Sequence, residues 1–286
     1  MMSEVLSGKT VAQAMLEEVK TRAEALSSKG TPPKLAIVRF GARPDDLYYE
    51  KGAKRTCAQV GVACDTTELA ADVPEADALR AIGALNDDPS VHGILILQPM
   101  PKHIDSTKVR YLLKPEKDVD GTSPINQAKV FEGDPTGYPP CTPTAVMEII
   151  KHYGIELKGK KVVVLGRSMV VGKPASMLLL GEHATVTICH SRTKDLPAEA
   201  RQGDVLVAAI GKAKMVTADY VRPGAVVIDV GINVDAAGKL CGDVDFDSVS
   251  PVASQITPVP GGVGSVTTMV LAKHVVRAAE KVATGR

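Results

Sequence analysis

The chain has 286 residues, enough for two domains of ordinary size. Its 34 Lys and Arg nearly balance its 33 Asp and Glu, so no net electric field favours nucleic acid or an anionic membrane over a small-molecule ligand. The five cysteines have neither CxxC spacing nor a His partner at metal-ligand spacing, which predicts reduced thiols and no metal site. The first residues lack an export signal, and no apolar run approaches the ~20 residues that span a bilayer, which predicts a cytoplasmic protein.

The first half of the chain alternates between helical and strand patterns, beginning with a helix at 10–28. Strands are predicted at 35–40, 62–67 and 93–97, with helices at 45–60 and 75–86 between them. The segment that follows is rich in Pro, Gly and Asp, which predicts loops and short helices and a domain boundary near residue 140.

A second alternating run follows a helix predicted at 143–153. Its strands are predicted at 161–166, 184–189, 204–209 and 225–230, and the chain ends in a long helix from about 265 to 283. Strands that alternate with helices pair in parallel, so the sequence predicts an α/β protein with a second sheet in this half.

A loop with the sequence GRSMVVG joins the first strand of this second run to a helix. Gly166 ends the strand and Gly172 comes where the helix should begin, so that backbone N–H groups could approach a pyrophosphate without an obstructing side chain. Ser168 stands where the usual pattern has its middle glycine. Taken alone, the loop therefore also fits an ordinary strand-to-helix turn.

The next strand runs into HSRT instead of the acid that holds the ribose of NAD. Ser191 and Arg192, with Arg167 from the preceding loop, offer a hydroxyl and guanidinium groups that suit the 2′-phosphate of NADP. A solvated basic turn is the alternative. If a dinucleotide binds, we therefore expect NADP.

Several motifs together resemble the methylenetetrahydrofolate dehydrogenase/methenyltetrahydrofolate cyclohydrolase family. They are PEKDVDG and PPCTP, then GRSMVVGKP, CHSRT, VVIDVGIN, GDVDF and TPVPGGVG, in the family's order. The resemblance implies two α/β domains flanking a cleft, the second a Rossmann-type dinucleotide-binding domain. It places a folate-binding catalytic domain at 1–140 plus 266–286 and an NADP-binding domain at 141–265. It also implies a homodimer that oxidises methylenetetrahydrofolate with NADP and, in most members, hydrolyses the methenyl product.

The resemblance assigns roles to single residues. Asp120 would hydrogen-bond the pterin, since a carboxylate accepts well from ring N–H groups, although an aspartate before glycine is also common in plain turns. Tyr49 would lie against the folate. The predicted catalytic residues are Tyr49, Gln98 and Asp120; the substrate-binding residues are Tyr49, Asp120, Pro260, Gly261, Gly262 and Thr267; and the cofactor-binding residues are Gly166, Arg167, Ser168, Gly172, Ser191, Arg192 and Ile232.

The family's Tyr-x-x-x-Lys motif is incomplete in this chain. On a helix, the residue four positions after Tyr49 lies only ~40° from it, and that residue is Ala53. Lys51 and Lys54 would lie ~200° and ~140° away. Starting the motif at Tyr48 would place Lys51 on its face, but Tyr49 and Ala53 share the helix's apolar stripe, which favours Ala53 as the replaced lysine.

Two further positions depart from the family pattern. Leu97 stands where family members commonly have a glutamine that supports the motif lysine. Gln98 comes one residue later, which on a strand is the opposite face. Ser265 replaces a proline. We therefore expect NADP-dependent dehydrogenase activity with weak or absent cyclohydrolase activity, because alanine cannot manage a proton. The alternatives are a fully bifunctional enzyme in which Lys51 or Lys54 reaches the site through a distorted helix, and a non-catalytic folate- or nucleotide-binding regulator.

Overall fold

The computed structural model describes residues 3–285, which divide into two compact units. The first unit contains Ala14–Cys141 and the chain from Thr268 onward, and the second contains the chain up to Gln13 and Thr142–Thr267. Each unit has its own parallel sheet with helices, so the predicted α/β fold is confirmed. Among the described helices, none is both long and apolar enough to cross a membrane.

The predicted helices and strands are present with small shifts at their ends, and further short elements lie between them. In chain order they are β1 (Glu4–Val5), α1 (Gly8–Ser28), β2 (Lys34–Phe40), α2 (Pro44–Gln59), β3 (Ala63–Leu69), α3 (Glu75–Asp87), β4 (Gly93–Ile96), α4 (Ser106–Leu112), α5 (Pro124–Glu132), α6 (Cys141–His152), β5 (Lys161–Leu165), α7 (Gly172–Gly181), β6 (Thr185–Cys189), α8 (Leu196–Ala200), β7 (Val205–Ala208), a 3₁₀ turn (Ala218–Tyr220), β8 (Val226–Asp229), β9 (Asn233–Val234), β10 (Leu240–Cys241), α9 (Phe246–Val249), β11 (Gln255–Ile256) and α10 (Val263–Thr284).

The first unit is built on a three-stranded parallel sheet in the order β3–β2–β4. The central strand β2 is buried along almost its whole length, which explains its apolar run from Leu35 to Val38. Helix α2 begins at Pro44, whose backbone is pre-organised for the first helical turn. The carboxylates of Asp45 and Asp46 stabilise this turn by interacting with the positive end of the helix dipole. The start of α2 is thus fixed locally, and its buried face is then set by the sheet.

Tyr138 is the largest fully buried side chain of the first unit, with 1% of its surface exposed. Its ring packs beneath two cations of α10: the Arg277 guanidinium carbon lies 5.0 Å and Lys281 Nζ 4.5 Å from the ring centroid. Its hydroxyl has no hydrogen-bond partner among residues 3–285, and burial raises the pKa of Tyr138 to about 12. The ring stabilises the unit, whereas the hydroxyl is a buried polar group without compensation.

Replacing Tyr138 with Phe is therefore expected to leave the free energy of unfolding unchanged or to raise it by about 1 kcal/mol, because it removes an unpaired polar atom and keeps the ring. Tyr138→Leu, which loses the cation contacts, should lower it. Urea unfolding of the three proteins measures the difference. A clear loss of stability in the Phe variant would mean that the hydroxyl has a partner, such as an ordered water.

The second unit is built on a six-stranded parallel sheet in the order β1–β11–β8–β7–β5–β6. Strands β5, β7 and β8 are buried almost throughout, as expected for the inner strands of a sheet covered on both faces. β9 and β10 form a separate antiparallel pair. The loops that follow β5, β6, β7 and β8 leave the same edge of the sheet, the edge at which parallel sheets bind ligands.

The N-terminal residues differ from the predicted division of the chain. The domain predicted at 1–140 begins instead with a segment, up to Gln13, that is compact with the second unit. The physical reason is β1, in which Glu4 pairs with Gln255 and Val5 with Ile256, so that it adds an edge strand to the larger sheet. A two-residue strand whose partner lies near the other end of the chain leaves no periodic signal.

Candidate functional site

Helix α2 presents a mostly buried face that contains Tyr49. Tyr49 is half-buried, while Ala53 and Cys57 are fully buried at the following turns, and Lys51 is exposed. This is the arrangement that the helical period predicts. Alanine therefore occupies the position one turn after Tyr49, on the side of the helix away from solvent.

Lys54 is held on a different side of α2 by a charged cluster. Its Nζ lies 2.7 Å from Glu50 Oε1, which also accepts from Thr66 Oγ1 at 2.7 Å, while Arg39 Nε donates to Glu50 Oε2 at 2.8 Å. Burial disfavours the Glu50 charge, but the hydrogen bonds from Lys54, Thr66 and Arg39 lower its pKa to about 2. Since α2 is continuous from Pro44 to Gln59, the structure does not show the distorted helix that would bring Lys54 to Tyr49.

Asp120 lies in the KDVDG turn of the first unit and is half-buried. Its Oδ1 accepts from the backbone N–H of Cys141 at 3.3 Å, and the Cys141 thiol donates to the Val119 carbonyl at 3.3 Å. Burial raises the pKa of Asp120 to about 6, although the hydrogen bonds from Cys141 favour the charged form. A carboxylate with spare acceptor capacity in such surroundings suits a ligand that brings its own donors.

Tyr49 and Asp120 lie in one neighbourhood. Burial raises the pKa of the Tyr49 hydroxyl well above its ordinary value, and the negative charges of Asp120 and then of the Cys141 and Cys57 thiolates would raise it further. The backbone packs tightly beside them, because a Cβ on Gly121 would lie 2.3 Å from the Tyr138 carbonyl oxygen. The residues predicted to anchor the pterin and to lie against it are thus close enough to interact.

Gln98 and Leu97 lie at the end of β4 and face different environments. Leu97 is buried, with 6% of its surface exposed, and its N–H donates to the Val38 carbonyl at 3.0 Å. Gln98 is exposed. Leu97 therefore faces the interior of the first unit, whereas Gln98 faces solvent.

The loop after β5 needs both of its glycines. Gly166 has φ +124°, and a Cβ there would lie 2.2 Å from the Ala209 carbonyl oxygen. A Cβ on Gly172 would lie 2.2 Å from the Gly166 carbonyl oxygen, so the loop closes on itself before α7 begins. Between them, Arg167 and Ser168 are exposed, and Ser168 Oγ accepts from the Val171 N–H at 3.1 Å.

The loop after β6 forms a tight turn beside it. Leu165 pairs with Cys189 in the sheet, so the two loops leave neighbouring strand ends. His190 holds the turn: its N–H donates to Thr193 Oγ1 at 2.9 Å, and its Nδ1 accepts from the Arg192 N–H at 3.1 Å. Ser191 and Arg192 are exposed at the tip. The structure therefore brings the predicted cofactor residues of the first two loops to one edge of the sheet.

The remaining predicted residues also lie in the second unit. Ile232 follows β8 with 66% of its surface exposed. Gly261 has φ +102°, and a Cβ on Gly262 would lie 2.4 Å from the Pro258 carbonyl oxygen. Thr267 is buried and its hydroxyl donates to the Val263 carbonyl at 3.2 Å. Pro260, Gly261, Gly262 and Thr267, predicted to close the folate site, thus share a unit with the cofactor loops, while Tyr49, Gln98 and Asp120 lie in the first unit.

Three further residues are not among the predicted site residues. Cys141 contacts Asp120, and Asp229 and Asp243 are two buried carboxylates of the second unit. The available signal was an aspartate at the end of an apolar strand, in VVID. Within residues 3–285, no three His, Cys, Asp or Glu side chains are grouped so that they could hold a metal ion.

Both halves of the chain match domains of one known protein family. The catalytic domain of the tetrahydrofolate dehydrogenase/cyclohydrolase family matches residues 6–120, and the NAD(P)-binding domain of the same family matches residues 140–283. Proteins named bifunctional protein FolD are 59% identical in Carboxydothermus hydrogenoformans, over 98% of both chains, and 58% identical in Clostridioides difficile, over 96% of both.

Solved structures give the same result. The bifunctional methylenetetrahydrofolate dehydrogenase/cyclohydrolase of Campylobacter jejuni is 39% identical, with a TM-score of 0.95 over 98% of this chain and 99% of that one. A Trypanosoma brucei methylenetetrahydrofolate dehydrogenase-cyclohydrolase, solved with NADP cofactor and inhibitor, is 36% identical, with a TM-score of 0.93 over 98% of both chains. The chain therefore belongs to the tetrahydrofolate dehydrogenase/cyclohydrolase family.

Proposed function

We propose that this chain oxidises methylenetetrahydrofolate to methenyltetrahydrofolate by hydride transfer to NADP. The observation that carries the proposal is the half-buried Asp120 beside Tyr49, in a chain of this family. The pterin ring carries an amino group and N–H donors, which an ionised carboxylate binds strongly and in one orientation away from bulk water. Asp120 would anchor the pterin, and the Tyr49 ring would lie against it.

Hydride transfer asks little acid–base chemistry of the protein. The nicotinamide accepts the hydride, and the protein's contribution is to align the two reactants and exclude water. The loops after β5 and β6 support binding of the cofactor, since Gly166 and Gly172 let the backbone fold closely before the ten-residue helix α7, and N–H groups at a helix N-terminus can bind a pyrophosphate. Arg167, Ser191 and Arg192 would hold the 2′-phosphate that distinguishes NADP from NAD.

A second reaction, hydrolysis of the methenyl product to formyltetrahydrofolate, is supported by the bifunctional names of the relatives. These names favour a bifunctional chain over the expectation of weak or absent hydrolysis. The buried Ala53 bears on its rate, because no amine stands one turn after Tyr49 to assist the attack of water. We therefore propose that this chain catalyses both reactions and that hydrolysis is the slower one.

Two assays on one preparation test these proposals. Formation of NADPH or NADH from methylenetetrahydrofolate reports hydride transfer, and the disappearance of methenyltetrahydrofolate reports hydrolysis. We expect turnover with NADP well above that with NAD, and hydrolysis above the buffer rate. A chain that binds folate without forming NADPH would be the regulator instead. Sedimentation of the same preparation would test the homodimer implied by the resemblance.

The acidity of Asp120 predicts how folate binding depends on pH. The carboxyl group must be ionised to accept the pterin donors, and burial raises the pKa of Asp120 to about 6 in the free protein. Affinity should therefore be full above pH 6 and fall by about tenfold per pH unit below it, until the lower pKa of the complex is reached. The KM for methylenetetrahydrofolate measured from pH 5 to 8 checks this, with the KM for NADP as control. A KM for folate that stays flat down to pH 5 would exclude Asp120 as the anchor.

A further inference from the structure

Asp229, the last residue of β8, binds the backbone of two other segments. Its Oδ1 accepts from the N–H of Gly231 at 2.9 Å and of Asp243 at 3.0 Å, and its Oδ2 accepts from the N–H of Val244 at 2.9 Å. Its own N–H donates to Thr257 Oγ1 at 2.7 Å. The carboxylate is 3% exposed, so it fixes the GDVDF segment against the end of β8.

Asp243 continues this arrangement to two further loops. Its Oδ2 accepts from the N–H of Ile210 at 2.6 Å and of Gly211 at 3.0 Å, and its Oδ1 accepts from the Lys212 N–H at 2.8 Å and from Asn233 Nδ2 at 2.9 Å. The residue is fully buried. Each oxygen therefore accepts two hydrogen bonds. Three of the four come from the loop after β7 and one from Asn233, the first residue of β9.

The backbone around the two carboxylates has no room for a side chain. A Cβ on Gly231 would lie 2.4 Å from Asp243 Cγ, and a Cβ on Gly242 would lie 1.8 Å from Asp229 Oδ2. Only glycine fits at such distances. The two loops are thus held by charge-assisted hydrogen bonds at close range and have little freedom to shift.

These loops lie at the edge of the sheet where the proposed cofactor loops begin, since β7 is paired with both β5 and β8. Ile232 lies between the two anchors, with Gly231 bound to Asp229 and Asn233 bound to Asp243. Its side chain is 66% exposed although its backbone is fixed. An apolar side chain held rigidly in the open gains free energy when a ligand covers it.

We propose that Asp243, itself held by Asp229, is a positioning residue for NADP: it fixes the 210–212 loop and presents Ile232 to the apolar part of the cofactor. This inference rests on the proposed function. Asp243 acts through the loops and does not contact the reacting atoms. Its loss should therefore weaken cofactor binding more than it slows hydride transfer.

The test is Asp243→Asn, which keeps the size of the side chain. Because both oxygens accept two bonds, the amide must turn its NH₂ group toward two donors, whichever way it is oriented. We expect the Kd for NADPH and the KM for NADP to rise about tenfold or more, because the loops lose one or more charge-assisted hydrogen bonds. Fluorescence titration measures the Kd. The kcat should change by less than about threefold and the KM for folate should not change.

Asp204→Asn is the matched control. Asp204 also accepts a backbone N–H, from Lys161 at 2.8 Å, and pairs with Arg222 at 2.7 Å, but at the opposite edge of the same sheet. It should lower the melting temperature with little effect on the Kd for NADPH. Equal rises in Kd for the two variants would reduce Asp243 to a structural role, and a fall in kcat at unchanged Kd would overturn the proposal.

Asn233→Ala provides a milder version should Asp243→Asn fail to fold. It removes one of the four donors to Asp243, so a rise of about two- to fivefold in the Kd for NADPH is expected, and no change would contradict the proposal. Oxidation of methylenetetrahydrofolate by the wild-type protein is measured in a separate assay. A wild type that binds NADPH without oxidising methylenetetrahydrofolate would defeat the proposed function, while the ratio of Kd values between variants would still decide the role of Asp243.

Discussion

Placing a lysine at position 53 is expected to raise the rate of methenyltetrahydrofolate hydrolysis by about 10²-fold or more, the usual contribution of a positioned acid–base group. Ala53 lies one helical turn after Tyr49 on the buried face of α2, so a lysine there would direct its amine toward the Tyr49 neighbourhood. The amine could then polarise the methenyl bridge and manage a proton as water attacks. Lys51 and Lys54 cannot do this from their own sides of the helix.

The control for this variant is Ala53→Met, which has a similar length without an amine. Both variants should retain NADP-dependent oxidation, and melting curves would show whether the added bulk is tolerated at a fully buried position. Combining Ala53→Lys with Leu97→Gln tests whether a supporting amide adds to the gain. If wild-type hydrolysis is already fast and lysine adds nothing, water attack in this chain uses another group.

Substitution of Asp120 with Asn should lower kcat/KM for methylenetetrahydrofolate by about 100-fold or more, because each hydrogen bond to a charged acceptor contributes about 1.5–3 kcal/mol. The Kd for NADPH should stay unchanged, since the cofactor loops belong to the other unit. Steady-state kinetics with both substrates, together with a titration of NADPH, would separate the two effects. A loss of NADPH binding in this variant would indicate general damage to the protein.

The same substitution should stabilise the protein. Burial in the folded protein raises the pKa of Asp120 to about 6, so the folded state favours the protonated carboxyl group. The group therefore contributes stability below its unfolded pKa, and this contribution is lost as the pH rises through 6. At pH 7 the ionised carboxylate therefore lowers the stability of the free protein, and Asn should raise the free energy of unfolding by about 1–2 kcal/mol. Higher stability with lost activity would identify a residue retained for binding and not for folding. A fall in stability would indicate that the Cys141 hydrogen bond matters more than burial.

Much of the fold could be predicted from the sequence because the inner strands are buried on both faces. LAIV, VVVL and VVI are continuous apolar runs within β2, β5 and β8, and the helices between the strands carry apolar residues at a helical period. The same period placed Ala53 on the face of Tyr49 and the charged residues elsewhere. Edge elements gave weaker signals: β1 has only two residues, both exposed, and its pairing with β11 joins distant parts of the chain.

The candidate site was predictable only in part. Gly166 and Gly172 could be located from local geometry, since a backbone that must approach a ligand or itself cannot carry a side chain. The charged cluster that holds Lys54 and the paired carboxylates Asp229 and Asp243 depend on contacts between segments that are far apart in the sequence.

The sequence by itself determined the two α/β runs, the residue one turn after Tyr49, and the glycine loop with its neighbouring arginines, because each follows from the repeat of a helix or strand or from the backbone freedom of glycine. The tertiary structure alone decided which unit takes the N-terminal strand, how acidic Asp120 is, and which carboxylates fix the loops beside Ile232. These properties arise from burial and from hydrogen bonds between distant segments, which no local pattern encodes.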